Sequence, residues 1–90
     1  SNVMHLLQVN VLFFAQSRQL VGANEKRVSL PQETTAADLH TSLIAQLPSL
    51  QPISDNFVLA LNEEYLTRDS DIVRLNPNDQ LAVIPPISGG

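Results

Sequence analysis

The chain has 90 residues, which suffices for one small domain but not for two hydrophobic cores. Hydrophobic residues make up 43% of it and charged residues 16%, so neither general disorder nor a fibrous repeat fits the composition. A net charge of −4 argues against nucleic acid as a partner, and the lack of cysteine excludes disulfides and thiolate chemistry and favours a reducing cytoplasm.

The first predicted element is a strand over residues 7–13. Its odd positions are apolar: Leu7, Val9, Val11 and Phe13. Gln8 and Asn10 alternate with them, which is the period of a strand with one buried face. Leu12 and Phe14 are apolar on the opposite face, so we expect that face to be covered too. The apolar run 11–15 is too short to cross a bilayer, and no membrane partner is expected.

A short helix and a second strand are predicted next. Residues 15–21 favour a helix that Gly22 ends in a left-handed conformation. Residues 25–30 then alternate as a strand, related to the first as a hairpin, and Pro31 ends it because proline cannot donate a hydrogen bond to a sheet.

The main helix is predicted to begin at a cap formed by Thr34 or Thr35. Its core-facing stripe recurs at steps of three and four residues: Ala36, Leu39, Leu43 and Leu47. Pro48 stops the helix, and residues 49–56 are predicted to form a loop. Strands follow at 57–61 and 80–84, the second after the turn Asn76–Asp79. The element order indicates an α+β domain, in which one main helix crosses one face of a mixed sheet.

No catalytic or metal-binding constellation is evident in this sequence. His5 and His40 are isolated, whereas a metal site needs several converging ligands. The pairs Glu63–Glu64 and Asp69 with Asp71 are expected to be solvated loop charges, because neighbouring strand residues point to opposite faces. The three glycines form no phosphate-binding loop.

The C-terminal segment is the unusual feature of the sequence. Pro85 and Pro86 stiffen the exit from the last strand, and Gly89–Gly90 carries no side chains. Such a thin segment can enter a narrow channel and place a terminal carboxylate there. We therefore expect a domain over residues 1–84 and a flexible tail over 85–90, in which the apolar Ile87 would fit a partner's groove.

A strand-strand-helix-strand-strand domain that ends in Gly-Gly is the ubiquitin-like β-grasp pattern. The sequence resembles, more specifically, the small subunit of molybdopterin synthase, the MoaD-type sulfur carriers. Three blocks carry the resemblance: residues 11–22 (VLFFAQSRQLVG), the turn 76–79 (NPND) and residues 82–90 (AVIPPISGG).

The resemblance implies a function for the terminal carboxylate of Gly90. An activating enzyme similar to ubiquitin activators would adenylate it with ATP, and a sulfurtransferase would then replace AMP to give a thiocarboxylate. The large subunit of the synthase would use that sulfur to build the dithiolene of molybdopterin from the cyclic pterin precursor. The resemblance further implies a heterotetramer of two small and two large subunits, in which the small subunit binds no metal or cofactor of its own.

The resemblance also implies that an exposed apolar face of the sheet docks the large subunit. The tail would then enter the active site of that subunit with Pro85, Pro86, Ile87, Ser88 and Gly89. We expect this face opposite the main helix and including Phe14 and Ile84, unless the inserted helix 16–21 folds back and buries Phe14. Three other functions stay open at this point: a thiazole-pathway sulfur carrier, a protein modifier that conjugates through Gly90, and a ubiquitin-like interaction module without terminal chemistry.

Overall fold

The computed structural model of the chain describes residues 5–85. Its strands are β1 Leu6–Phe13, β2 Glu25–Pro31, β3 Glu33–Thr35, β4 Val58–Leu61, β5 Glu64–Tyr65, β6 Ile72–Arg74 and β7 Gln80–Ile84. Its helices are α1 Ala15–Val21, α2 Ala36–Gln46 and a 3₁₀ helix Pro48–Ile53. Five strands form a sheet in the order β2-β1-β7-β4-β5, and β3 pairs with β6 alone. The predicted α+β architecture with one main helix and a small inserted one is confirmed.

The first strand lies inside the sheet, between β2 and β7. It pairs antiparallel with β2, so that Val9 faces Val28, and parallel with β7, so that Leu12 faces Ala82. The odd residues of β1 lie in the core, and Val9 and Val11 are completely buried. The alternation therefore predicted both the strand and its buried face correctly.

The main helix α2 packs its apolar stripe on that same face of the sheet. Leu39 and Leu43 are completely buried in one cluster with Val9 and Val11. Of the two threonines proposed as its cap, Thr35 makes the bond: its Oγ1 accepts a hydrogen bond from the N–H of Asp38 at 3.1 Å. The helix ends before Leu47, which is half-buried against the core.

Substituting Thr35 with alanine should lower the free energy of unfolding by about 1 kcal/mol, because the N–H of Asp38 loses its partner at the helix terminus. Urea denaturation measures this difference. Thr41→Ala is the matched control: Thr41 lies on the exposed side of the same helix, and its hydroxyl bonds only the Ala37 carbonyl. Equal losses in the two variants would contradict a capping role for Thr35.

The loop predicted over residues 49–56 is wrong in its first half. Residues 48–53 form the 3₁₀ helix, which buries Leu50 completely and leaves Ile53 4% exposed. A 3₁₀ helix repeats every three residues, so this spacing places both side chains on one face toward the core. Pro48 takes the first position, where a missing N–H costs nothing.

Three short strands were not predicted from the sequence. Strands β3 and β6 pair over only three residues, and Glu33 and Arg74 form an ion pair of 2.7 Å across them. Strand β5 has two residues, Glu64 and Tyr65, of which Glu64 was expected to lie in a loop. Runs this short show no periodicity, and their pairing follows from the tertiary fold.

Strand β7 leads directly into the predicted C-terminal tail. Pro85, the first residue of that tail, is buried, so the tail starts from a position packed on the domain. Pro86, Ile87, Ser88, Gly89 and Gly90 lie outside the described residues.

Candidate docking surface

The face of the large sheet that points away from α2 carries a continuous apolar row. The strand register places its members side by side. Leu12 pairs with Ala82, Ala82 pairs with Ala60, and Ala60 pairs with Tyr65. Their odd-numbered neighbours on β1 and β7, such as Val11 and Leu81, are buried in the core. The row therefore lies on the outer face, where no helix of the described chain packs.

A shallow depression of about 320 Å³ lies over this row, and we call it the outer-face hollow. Its lining residues are Leu12, Phe14, Glu63, Tyr65, Gln80, Ala82 and Ile84. Leu12, Ala82 and Ile84 are half-buried in it, whereas Phe14 and Tyr65 have 47% and 62% of their surfaces exposed. Exposed aromatic side chains beside half-buried apolar ones are typical of the centre of a protein interface.

Both residues predicted to dock a partner, Phe14 and Ile84, line the outer-face hollow. The small helix α1 does not bury Phe14, so the expectation that Leu12 and Phe14 are covered by the chain itself is wrong for Phe14. Ala15, which directly follows Phe14, has a φ of +50°, and α1 contacts the 3₁₀ helix. Leu12 is half-buried among its neighbours.

Ser17 is fully buried and fixes the backbone at Phe14 by hydrogen bonds. Its Oγ accepts a hydrogen bond from the Phe14 N–H at 3.0 Å. The same Oγ lies 2.7 Å from the Phe14 carbonyl oxygen and 3.3 Å from the Val83 carbonyl oxygen, so the hydroxyl can donate to either of them. Because a buried polar group is costly unless it is bonded, this network ties the start of α1 to β7. Phe14 is thereby presented beside the strand that leads to the tail.

Sequence reasoning did not identify Tyr65, Ala82 or Glu63 as parts of this surface, nor Ser17 as the buried residue that bonds the Phe14 backbone. Tyr65 follows a turn, and only the pairing of β5 with β4 places it in the apolar row. Ala82 was recognised merely as a strand residue. Glu63 was interpreted as solvated charge, yet it is the one charged residue among the described residues that line the hollow. No signal in the sequence alone reports these neighbours.

A second, larger groove of about 620 Å³ lies between α2 and β4. The ring of His40 stacks on Phe57 there, with centroids 4.3 Å apart and planes 17° apart, and Asp55 and Asp69 line the same groove. Within residues 5–85 no three His, Cys, Asp or Glu side chains converge closely enough to hold a metal ion. Nothing in this groove combines into a catalytic arrangement.

The remaining charged candidates have structural surroundings. The backbone carbonyls of Asp69 and Asp71 accept hydrogen bonds from the Ala37 and Ala36 N–H groups at the start of α2. His5 is exposed, and its carbonyl accepts a hydrogen bond from the Gln32 N–H. Neither helix in the described range, α1 or α2, is long and apolar enough to cross a membrane.

The sequence matches a known protein family and individual known proteins. The model of the ThiS family matches residues 11–90. The molybdopterin synthase sulfur carrier subunit of Drosophila yakuba is 45% identical over 85 residues, which cover 94% of this chain and 93% of that protein.

The same fold recurs in solved structures of low sequence identity. The small archaeal modifier protein SAMP1 of Haloferax volcanii superposes with a TM-score of 0.69 at 23% identity, over 92% of this chain and 99% of that one. A complex of subunits 1 and 2 of the molybdopterin-converting factor from Helicobacter pylori contains a chain with a TM-score of 0.63 at 17% identity, over 93% and 100% of the two chains. The predicted ubiquitin-like β-grasp fold is thereby confirmed. Since a modifier also has this fold, the fold alone does not distinguish a carrier from a modifier.

Proposed function

The chain belongs to the ThiS family and, within it, to the molybdopterin synthase sulfur carrier subunits, and from this membership we propose that it carries sulfur on the carboxylate of Gly90. In this proposal the carboxylate attacks the α-phosphate of ATP on an activating enzyme and releases pyrophosphate. Sulfur at the sulfide level, delivered by a sulfurtransferase, then attacks the acyl carbon and expels AMP, which leaves a thiocarboxylate. Two such carriers each pass one sulfur to the cyclic pyranopterin precursor, which forms the dithiolene of molybdopterin, and water restores the carboxylate of each Gly90.

In this proposal the carrier and its partner enzymes divide the reaction between them, and the partners supply the catalytic side chains. The chain contributes an acyl group on a segment without bulky terminal side chains. ATP is a substrate of the activating enzyme in this scheme, and the reactions take place in the cytoplasm.

The observation that carries the proposal is the position of the outer-face hollow relative to the tail. Ile84, the last residue of β7, lines the hollow, and the chain continues from it through Pro85 toward Gly90. A partner seated on the hollow therefore receives the start of the tail at the edge of the same contact. We propose that the large subunit of the synthase docks here, with Phe14 and Ile84 in the interface, in a heterotetramer of two small and two large subunits.

The shape of the hollow also suits successive partners. Most of its lining residues are apolar and the hollow is already open in the free chain, so an apolar side chain of a partner can enter it without a rearrangement of the sheet. The activating enzyme must capture the same tail before the large subunit does. A single surface beside the tail would serve both enzymes in turn.

The experiment that tests the proposed chemistry is intact-mass analysis of the protein isolated from its native cell. Exchange of one oxygen for sulfur adds about 16 Da, and fragmentation should place the increase on Gly90. Protein lacking Gly90, expressed in the same cell, is the control and should show no such increase. A ladder of conjugates to lysine side chains, without the sulfur form, would instead identify a protein modifier.

A further inference from the structure

The turn between β4 and β5 has a backbone conformation that its sequence does not favour. Leu61 pairs with Glu64, so Asn62 and Glu63 are the two central residues of the hairpin. Their φ angles are +50° and +73°. Positive φ at both positions defines the type I′ turn, in which the second residue is most often glycine. A glutamate in this left-handed region is strained by its Cβ.

Asn62 has local interactions that account for its conformation. Its Nδ2 donates to Oδ1 of Asp79 at 3.0 Å, and its Oδ1 accepts from the Gln80 N–H at 3.0 Å. Its own N–H donates to the Gln80 carbonyl at 2.9 Å. These bonds attach the turn to the start of β7. The Glu63 side chain makes no hydrogen bond or ion pair with any other described residue, so nothing within residues 5–85 compensates for its strain.

The place of Glu63 in the molecule distinguishes it from its neighbour Glu64. Glu63 lines the outer-face hollow together with Phe14 and Tyr65. Tyr65 belongs to the outer row, so Glu64, one residue earlier on β5, points to the opposite face. Of the two glutamates, Glu63 is thus the one that lines the outer-face hollow.

We propose that Glu63 is a specificity-determining residue of this surface, which offers its carboxylate to a lysine or arginine of the docked large subunit. A partner that covers Phe14 and Tyr65 also removes water from the neighbouring rim. A carboxylate that loses water without gaining a counter-charge weakens the complex, so the matching surface must be apolar with a basic side chain at its edge. The inference rests on the proposed function, since it assigns the docked partner.

Three variants of the full chain separate charge from strain. Glu63→Gln removes the charge and keeps the strained backbone. Glu63→Gly removes both the charge and the strain. Glu64→Gln is the matched control, because it changes the net charge equally on the other face of β5. Each is measured for affinity to the large subunit at 0.15 M salt, where screening limits charge effects to about 8 Å, and for thermal unfolding alone.

We expect Glu63→Gln and Glu63→Gly to bind the large subunit at least about fivefold more weakly, and Glu64→Gln to stay within about twofold of the wild type. The loss should shrink as salt is raised. Glu63→Gly alone should unfold at a higher temperature, with Tm raised by about 4 °C or more as the strain disappears. Weaker binding by a more stable protein is a combination that general damage to the fold does not produce.

Each contrary result has a separate meaning. Wild-type affinity in Glu63→Gln, or an equal loss in Glu64→Gln, would overturn the role of Glu63 while leaving the carrier function intact. An unchanged or lower Tm for Glu63→Gly would overturn the strain on which the inference is based. Failure of the wild-type protein to bind the large subunit at all would overturn the proposed function and this inference with it.

Discussion

Removal of Gly90 should abolish the formation of molybdopterin by the reconstituted system. The proposed reactive group is the carboxylate of that residue, and deletion withdraws it by one residue, up to about 3.6 Å along an extended chain. Reaction rates fall about 100-fold for a displacement of 1 Å from the reactive geometry. We therefore expect at least a 1,000-fold loss of product, measured as dithiolene formed from the cyclic precursor with ATP, the activating enzyme, a sulfur source and the large subunit.

Two controls assign this loss to the terminus. The deletion variant should unfold at the wild-type temperature, because the buried hydrophobic cluster extends only from Val9 to Val83. It should also bind the large subunit within about threefold of the wild type, because the outer-face hollow is unchanged. A protein with one residue appended after Gly90 should be equally inactive, since its carboxylate is displaced in the other direction. Product formation at the wild-type rate by either variant would contradict the proposed chemistry.

The parts of the fold that were predictable are those with a long, regular pattern. The alternation along β1 and the stripe of Leu39 and Leu43 on α2 identify buried residues directly. An element with one buried face has apolar residues at the spacing of that strand or helix. The 3₁₀ helix was missed, although Leu50 and Ile53 lie three residues apart, since Pro48 and Pro52 also match a loop. Helices of that type are too short for their period to stand out.

The candidate surface was predictable only in part, and the reason is geometric. Phe14 could be found because it breaks the alternation of β1, and Ile84 because it precedes the proline pair. Tyr65 and Ala82 join them only through the order β1-β7-β4-β5 and its register, which couple residues up to 70 positions apart from Leu12 to Ala82. Strand order is a property of the whole fold, and no local pattern specifies it.

Replacing Phe14 with aspartate should weaken binding of the large subunit by at least about 2 kcal/mol, or roughly 30-fold in Kd. Phe14 lines the outer-face hollow and is 47% exposed in the free chain. The substitution removes an aromatic contact and places a charge where an apolar partner surface is expected. Titration calorimetry of the two purified subunits measures the change.

The fold should tolerate this substitution. Phe14 is the residue before α1, where its N–H bonds the Ser17 hydroxyl through the backbone alone, and aspartate is favoured at such positions.

Ile72→Asp is the control, because Ile72 is 63% exposed but lies on β6, outside the large sheet. It should leave Kd unchanged. If Phe14→Asp instead unfolds, Phe14 is part of the core, and the contact must lie nearer Ile84. If it folds and binds normally, the outer-face hollow is not the docking surface, whereas the chemistry proposed for Gly90 would still stand, since it depends on the terminus and not on this ring.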